Sequence, residues 1–532
     1  MHVAQRTGEV LFLRPTSGLT KYFGTWTSLF AVIGASLGTY QWMFAGVLQD
    51  LYPGISAALT WSIGLGFMLI YTVMITLLSM AMPRSAGIYQ ISARGFNPVT
   101  GILAVWRGII ANPIIKMSEF FLFIVYLGAA FAQWGAVSGN AMLKSWGAAM
   151  SAQIGNPYLL VGLSIFLMLV FVIVAYLGPL FRLEPRIQMI GGLFSTIGWI
   201  MAILVLVATP ASAVESRWNA AFGAGAYSEV VTVATGAGFG VAPAFSWQMT
   251  FLATIWPVGL VWPYLILHYG GEMSDPAKNL VLVQVLGGII LAVLLAGGAA
   301  LFQGTFGYFS TQYAVAAASV TITPTFTTGF GTMTAVLAGN PAISGWILLS
   351  APVIGLTATP INMAWVTRGF FQGSLDRMMP SFFGKLSKYH TPTYAIAYYF
   401  LFSLPFAFVF ALPGMVAFLA VVTSLVGLWG VEMIFQSMAA LQLPYLKRPL
   451  YEGSIRKQPE IAGFPVVSLL GIIILPLSLF VMIGFFQGAA FFSVVMMTVQ
   501  YGFSALWFVV YARHLRKKNI EVGSIYESLP PE

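Results

Sequence analysis

The chain has 532 residues, of which 59% are hydrophobic and 7% are charged, and its mean hydropathy is +0.87. A soluble globular domain carries about 25% charged residues, so this chain has too few polar side chains to cover a surface that faces water. Lipid must therefore be the solvent for most of it. Cysteine is absent, which excludes disulfides, thiol chemistry and cysteine metal sites.

The apolar residues are gathered into continuous runs long enough to cross a hydrocarbon layer of ~30 Å. In lipid each segment must satisfy its own backbone hydrogen bonds, so we expect helices. A barrel would show alternating strands instead. The twelve predicted spans, numbered in chain order, cover residues 23–48, 58–82, 98–134, 157–178, 187–209, 248–269, 279–303, 342–367, 392–412, 415–441, 464–487 and 490–512. The sequence predicts an all-α integral membrane protein.

The basic residues are distributed asymmetrically between the loops. Of 24 Lys and Arg residues, Lys144 and Arg217 lie in loops on one side, Arg107 and Lys116 lie within span 3, and all the others lie on the opposite side. Because Lys and Arg accumulate in cytoplasmic loops, we expect a multi-pass protein of the cell (cytoplasmic) membrane with both termini cytoplasmic. The net charge of +9 then indicates anionic lipid as the partner rather than nucleic acid.

Two long connections, residues 210–247 and 304–341, face the opposite, outer side and are rich in Gly, Ala, Ser and Thr. Structureless loops of this length are rare in compact proteins. We therefore expect both connections to contain short helices.

Span 1 contains the sequence Gly34-Ala35-Ser36-Leu37-Gly38-Thr39-Tyr40. On an intact helix, Gly34 and Gly38 would form a groove for close packing of another helix. Alternatively, the helix breaks here, because glycine tolerates dihedral angles that other residues avoid. The freed backbone groups would then bind a solute or an ion.

Span 6 carries two prolines, Pro257 and Pro263, on either side of Gly259. Each proline removes a backbone donor, so the helix is either kinked or broken. Spans 1 and 6 are five spans apart, and interrupted helices at corresponding positions of two halves are typical of transporters with inverted repeats.

Three loop segments resemble sequences of the amino acid–polyamine–organocation (APC) superfamily. Pro83–Tyr89 is similar to its P-x-S-G-G-x-Y segment after span 2, and Gly271–Asn279 is similar to its G-E-x-x-N-P signature after span 6. Arg368–Pro380 with His390–Pro392 resembles its R-x(7)-D-G-x-x-P … T-P stretch after span 8. The three segments occur in the family's order between the predicted spans.

The resemblance implies a five-plus-five inverted repeat, at about residues 23–209 and 248–441, and alternating access. The transport core would be 23–441, preceded by a cytoplasmic segment 1–22 and followed by peripheral helices in 464–512 and a cytoplasmic tail 513–532. The substrate would lie between broken spans 1 and 6, bordered by spans 3, 8 and 10. The implied substrate-binding residues are Gly34, Ala35, Ser36, Gly38, Thr39, Tyr40, Trp262, Pro263, Tyr264 and Asn362.

The chain departs from the family at this site. Tyr40 replaces the last glycine of the span 1 motif, and Trp262-Pro263-Tyr264 stands where the family usually has Gly-Phe-Glu. These changes argue against a standard amino acid. An aromatic pocket favours an organic cation, through cation–π attraction, or a flat apolar solute.

The predicted spans contain two acidic residues, Glu119 and Glu432. Lys116 and Glu119 share a face of span 3, where they form either a neutralised pair or a proton relay. Glu432 in span 10 is either an interfacial residue or a coupling residue.

In the family a lysine of span 5 can couple transport to protons, but Ser195 occupies that region here. A sodium site of this fold would use span 1 carbonyls and span 8 hydroxyls, with Thr357, Thr359 and Ser195 as candidates. Alternatively, these hydroxyls bond to the preceding helical turn. The coupling ion is thus H⁺ or Na⁺.

The sequence contains no motif for ATP or a dinucleotide, and its four histidines are scattered without metal-ligand spacing. We expect a secondary active transporter of amino acids, amines or related small organic solutes, without a cofactor or a bound metal. The alternatives are a solute-gated channel or receptor on the same scaffold and, less favoured, a membrane enzyme. The oligomeric state is not predicted.

Overall fold

The computed structural model describes residues 17–154, 156–319, 326, 328–411, 415–488 and 491–530. Within them, eleven helical segments are long and apolar enough to cross a membrane, and they coincide with predicted spans 1–9, 11 and 12. The helix Met415–Leu446 coincides with span 10. The prediction of an all-α membrane protein with about twelve spans is confirmed.

The helices of spans 1 to 6 are Thr25–Ser36 with Thr39–Leu51, Ala57–Ala81, Pro98–Ser138, Pro157–Phe181, Leu183–Val207, and Trp247–Ala253 with Ile255–Leu260 and Leu265–Glu272. Those of spans 7 to 12 are Pro276–Val281 with Leu282–Leu286 and Gly287–Phe306, Pro341–Thr357 with Thr359–Leu375, Thr393–Ala411, Met415–Leu446, Val466–Gly488 and Phe491–Arg516. The described strands are Glu460–Ile461 and Phe464–Pro465, which pair antiparallel between spans 10 and 11.

Three of the spans begin with the same local sequence, an asparagine followed by a proline. The side chains of Asn97, Asn156 and Asn340 accept hydrogen bonds from the first free amides of spans 3, 4 and 8. The following proline lacks an N–H that would otherwise need a partner there. These caps begin each helix at the membrane boundary without leaving unpaired donors.

The two long outer connections contain short helices, as predicted. They are Ala211–Ala213, Val214–Phe222 and Ala226–Gly236 in the first, and Phe309–Ala318 and Phe330–Leu337 in the second. A further outer helix, Ala141–Ile154, was not predicted. It packs so closely on span 3 that a Cβ atom on Gly147 would collide with Ala132.

On the opposite side, the remaining short helices are Gly87–Gln90, Ile91–Phe96, Ser381–Gly384, Arg448–Glu452 and Val522–Ile525. We call this side, which carries the Lys- and Arg-rich loops, the inner face, and the other side the outer face. The predicted N-terminal segment 1–22 is described from Ser17 onward, and its first sixteen residues lie outside the described part of the chain.

The beginning of span 1 is joined to the end of span 6 at the inner face. The backbone amides of Tyr22 and Phe23 donate to the Glu272 carbonyl at 3.0 and 3.1 Å, and Ser274 N donates to the Phe23 carbonyl at 3.0 Å. The inner parts of the two interrupted spans are therefore adjacent.

Candidate substrate site between the broken helices

Span 1 is broken at Leu37 and Gly38, as one reading of its sequence predicted. One helix ends at Ser36, and the next begins at Thr39 with Gly38 as its extended N-cap. The Thr39 hydroxyl donates to the Ala351 carbonyl at 3.0 Å, which ties the second helix to span 8.

The alternative reading of the span 1 glycines holds at Gly34. A Cβ atom on Gly34 would lie 2.6 Å from the Cα atom of Gly192 in span 5. Such an approach is possible only between small residues. Gly34 therefore serves close helix packing, whereas Gly38 lies at the break.

Span 6 is also broken. Its second helix ends at Leu260, the residues Val261–Tyr264 are not helical, and a tighter helix begins at Leu265. Pro257 is accommodated within the helix and packs against Gly64 of span 2. Pro263 lies in the break itself.

The two breaks are hydrogen-bonded to each other. The Trp262 amide donates to the Ser36 hydroxyl at 3.2 Å, and the Gln41 side-chain amide donates to the Leu260 carbonyl. Gln41 was not among the predicted site residues. Its signal was an amide side chain in an apolar span, where a polar group needs a partner.

Aromatic side chains connect the breaks to the surrounding spans. Tyr40 is hydrogen-bonded to Ser118 of span 3 at 3.0 Å. Tyr264 lies parallel to Trp429 of span 10 with ring centroids 6.5 Å apart, and edge-on to Tyr71 of span 2 at 5.2 Å. Spans 3 and 10 therefore border the breaks, as the resemblance implied.

Of the remaining predicted substrate residues, two lie in or next to the breaks and one lies in span 8. Ala35 is buried in the turn before the break, and Trp262 is half-buried. Asn362 is buried in span 8, where its side chain donates to the Ala358 carbonyl of its own helix at 3.2 Å.

The predicted pair of Lys116 and Glu119 is formed. The Lys116 ammonium also donates to the Gly355 carbonyl of span 8 at 3.3 Å. Both side chains are buried, and Ser118 between them contacts Tyr40. The pair therefore lies beside the span 1 break.

Of the sodium candidates, Ser195 contacts the span 1 break. Its hydroxyl donates to the Leu37 carbonyl at 3.3 Å. Thr357 and Thr359 donate to Val353 and Leu356 of their own span, at 3.0 and 2.6 Å. The Ser195 oxygen also accepts from Trp42 Nε1 at 3.1 Å, but a hydroxyl oxygen has two lone pairs. A cation could still bind there, and the sodium site stays a prediction.

A small cavity of about 20 Å³ lies on the outer side of the span 1 break. Thr39, Trp42, Tyr126 and Ala351 line it, together with Thr328, Gly329, Gly331 and Thr332 of the second outer connection. The helix Phe330–Leu337 therefore covers the break from the outer side.

At the inner face, Arg368 forms two hydrogen bonds with Glu272, at 2.9 and 2.8 Å. Glu184 lies 3.5 Å from the same guanidinium and accepts a hydrogen bond from the Tyr22 hydroxyl at 2.7 Å. Burial and the Glu184 and Glu272 carboxylates raise the pKa of Tyr22 well above its ordinary value. The shift keeps the Tyr22 hydroxyl protonated, as the donor to Glu184, well above neutral pH.

This network corrects two sequence predictions. Arg368 was placed in a loop, but it is buried within the helix of span 8. Glu119 and Glu432 are not the only acidic residues in spans, because Asp50, Glu184 and Glu272 also lie within them. A helix can continue past a charged residue when a distant partner neutralises that charge, and it then ends later than hydropathy predicts.

A second inner network joins two of the motif segments. Tyr89, of the segment after span 2, donates to Asp376, of the segment after span 8, at 2.6 Å. Arg94 forms two hydrogen bonds with the same carboxylate. Burial and Asp376 raise the pKa of Tyr89 well above its ordinary value.

A third pair lies deeper in the membrane. Arg107 of span 3 is 3.3 Å from Glu432 of span 10. Its guanidinium lies over the ring of Trp365 of span 8, 4.7 Å from the centroid. Glu432 is thus a buried residue with a charged partner rather than an interfacial one.

Paired breaks that meet inside a twelve-span helical bundle define the class as a multi-pass membrane transport protein. A sequence profile of the family described as "Amino acid permease" matches residues 23–512. The chain belongs to this family of the APC superfamily, whose members are transporters rather than enzymes. A comparison with individually curated proteins finds no significant match.

Proposed function

We propose that the protein is a secondary active transporter of amino acids, amines or related small organic solutes. It works by alternating access in the cell membrane, with both termini cytoplasmic and its core built as a five-plus-five inverted repeat. The observation that supports this most is the direct hydrogen bonding between the two breaks, at Ser36 with Trp262 and at Gln41 with Leu260. A solute between the breaks would replace these bonds with its own.

The solute would be held mainly by backbone groups and aromatic rings. The break in span 6 carries no carboxylate between Val261 and Tyr264, so an ammonium group would be bound by carbonyl dipoles and by the faces of Tyr40, Trp262 or Tyr264. The bulk of these rings favours a flat or aromatic side chain, and their negative π faces favour an organic amine over a strongly acidic solute.

Transport would be driven by an ion gradient. For H⁺, the candidates near the site are Lys116 and Glu119, whose pair joins span 3 to span 8 beside Tyr40. For Na⁺, the candidates are Ser195 and the Leu37 carbonyl, 3.3 Å apart, with Thr357 and Thr359 of span 8.

Thermal-shift screening of the purified protein against amino acids, amines and nucleobases identifies the solute, because a ligand that binds only the native state raises the melting temperature. Uptake of that solute into proteoliposomes is then measured with imposed proton or sodium gradients. Accumulation above the external concentration supports a transporter. Equilibration without accumulation would indicate a channel, binding without flux a receptor, and chemical conversion of the solute an enzyme.

A further inference from the structure

Arg107 and Glu432 form an incomplete ion pair. Their single close contact joins Nη1 of Arg107 to Oε2 of Glu432 at 3.3 Å. The exposed fractions of the two residues are 3% and 1%. In the described part of the chain, no hydrogen-bond partner reaches Oε1 of Glu432 or Nε of Arg107.

Two other buried arginine pairs of the described residues are complete by comparison. Arg94 and Arg368 each use two nitrogens on both oxygens of a carboxylate, at 2.8–3.0 Å. Bidentate pairing is the favoured geometry for arginine and a carboxylate. The pair of Arg107 with Glu432 therefore leaves a donor and an acceptor available to another group.

The pair lies on the inner side of the span breaks. Arg107 precedes Lys116 by nine residues, which corresponds to about 13 Å along the helix toward the inner face. Tyr264, the last residue of the span 6 break, interacts electrostatically with both Arg107 and Glu432. A solute that leaves the breaks toward the inner face would meet this pair next.

The surroundings are aromatic, and among the described residues Arg107 is the full charge that interacts with Glu432. The titratable groups that interact with Glu432 are Arg107 of span 3, Tyr71 of span 2, Tyr264 of span 6 and Tyr501 of span 12. Span 11, which also packs on span 10, has no titratable residue in Val466–Gly488.

His268 of span 6 is a further polar group near the pair. Its ring stacks on Trp365 at 4.5 Å, and among the described residues neither imidazole nitrogen has a hydrogen-bond partner. It therefore adds an unused polar group on the Arg107 side of the pair.

We propose that Arg107 is a binding site for the carboxylate of the transported solute, and that Glu432 occupies it until it takes up a proton. This deepens the proposed function and rests on it. Protonating Glu432 alone would leave the guanidinium buried without a counter-ion, and a solute carboxylate arriving alone would face the Glu432 carboxylate. Both are unfavourable in a low-dielectric site.

The two events together preserve the charge of the site. One proton from water neutralises Glu432, and one solute carboxylate takes its place on Arg107. Proton binding and carboxylate binding are then linked, and each event favours the other. The site would couple one proton to each carboxylate-bearing solute.

The test uses the full-length protein in detergent and two probes, the amino acid that raises its melting temperature most and the methyl ester of that amino acid. Calorimetry in two buffers of different ionisation enthalpy gives the number of protons taken up. We expect the protein to take up about one proton when it binds the amino acid. The affinity for the amino acid should then fall about tenfold for each unit by which the pH rises, over the range where that proton is taken up. Binding of the ester, which lacks the carboxylate, should take up no proton.

Glu432→Gln should bind the amino acid without proton uptake and without pH dependence. Arg107→Gln/Glu432→Gln, which removes both charges and leaves neither one buried alone, should bind the acid and the ester equally. Glu452→Gln, in an exposed pair with Arg448, is the matched control and should behave as the wild type.

Proton uptake that persists in Glu432→Gln would overturn the inference, as would its loss in Glu119→Gln alone or equal binding of acid and ester by the wild type. Binding of amines but of no amino acid would also overturn it, because an amine has no carboxylate for Arg107. Each of these results leaves the proposed function standing. Failure of the wild type to bind or transport any solute would overturn the proposed function itself.

Discussion

Arg94 donates two hydrogen bonds to Asp376, from Nη2 to Oδ1 at 2.8 Å and from Nη1 to Oδ2 at 3.0 Å. The bonds join the segment between spans 2 and 3 to the segment after span 8. Two further contacts come from beyond span 12, where Tyr526 meets Tyr89 at 2.8 Å and the Ser528 carbonyl accepts from Arg94 at 2.8 Å. Three distant parts of the chain thus meet at one buried carboxylate.

Removing one partner of this pair should destabilise the protein. Asp376→Ala leaves the Arg94 charge buried without a counter-ion, and such losses cost about 3–5 kcal/mol. We expect a clearly lower melting temperature in detergent. Arg448→Ala, which removes an exposed partner, is the matched control and should leave the melting temperature within error of the wild type. Equal melting temperatures for all three proteins would contradict the role of the pair.

Gly38→Leu should abolish solute binding while the protein still folds. A Cβ atom at Gly38 would lie 3.0 Å from Oε1 of Gln41 and 3.3 Å from the Ala35 carbonyl, so a larger side chain fills the break. Gly66→Leu is the matched control, because a Cβ atom there meets nothing within 4 Å. Unchanged solute affinity in Gly38→Leu, measured by calorimetry, would exclude the span 1 break as the site.

Gln41→Ala should weaken solute binding by up to about tenfold. The Gln41 amide, which bonds to the Leu260 carbonyl in the structure, would bond to the solute in its place, and the loss of one hydrogen bond costs about 0.5–1.5 kcal/mol. Gln303→Ala is the control. Gln303 of span 7 also donates to a distant backbone carbonyl, that of Ile55 in the loop between spans 1 and 2 at 2.8 Å, but away from the breaks. We expect Gln303→Ala to lower the melting temperature without changing solute affinity. If Gln41→Ala also lowered only the melting temperature, Gln41 would act on stability alone.

Tyr40→Ala should widen the range of solutes. The Tyr40 ring is buried at the break and bonded to Ser118, so its removal opens space where the family usually has glycine. In the thermal-shift screen, bulkier amino acids and amines should stabilise the variant more than they stabilise the wild type. Tyr158→Ala, at an exposed position of span 4, should leave the ranking of solutes unchanged. An unchanged ranking in Tyr40→Ala as well would place this ring outside the site.

Several of the sequence predictions concern a single segment, and the structure confirms them. The spans follow from runs of apolar residues, because one helix must cross the hydrocarbon layer by itself. The breaks follow from Gly38 and Pro263, because the backbone freedom of glycine and the missing N–H donor of proline act on the helix at the residue itself. The pair of Lys116 with Glu119 follows from their separation of three residues on one helix.

The predictions that failed concern segments whose environment depends on other parts of the chain. The helix Ala141–Ile154 lies outside the predicted spans and is stabilised by packing on span 3. In the sequence alone Arg368 resembles a loop cation, whereas in the structure Glu272 and Glu184 neutralise its charge. Hydropathy treats each charge as unpaired and therefore ends the helix too early.

The sequence by itself determined the class of the protein, the positions of its membrane spans and the two places where they break, because each depends on the solubility and backbone chemistry of neighbouring residues. Only the tertiary structure decided which groups meet across the bundle. The bonds of Gln41 to Leu260 and of Arg107 to Glu432 join residues that are hundreds of positions apart. Their distances depend on the register and tilt of helices packed in three dimensions, which no local pattern specifies.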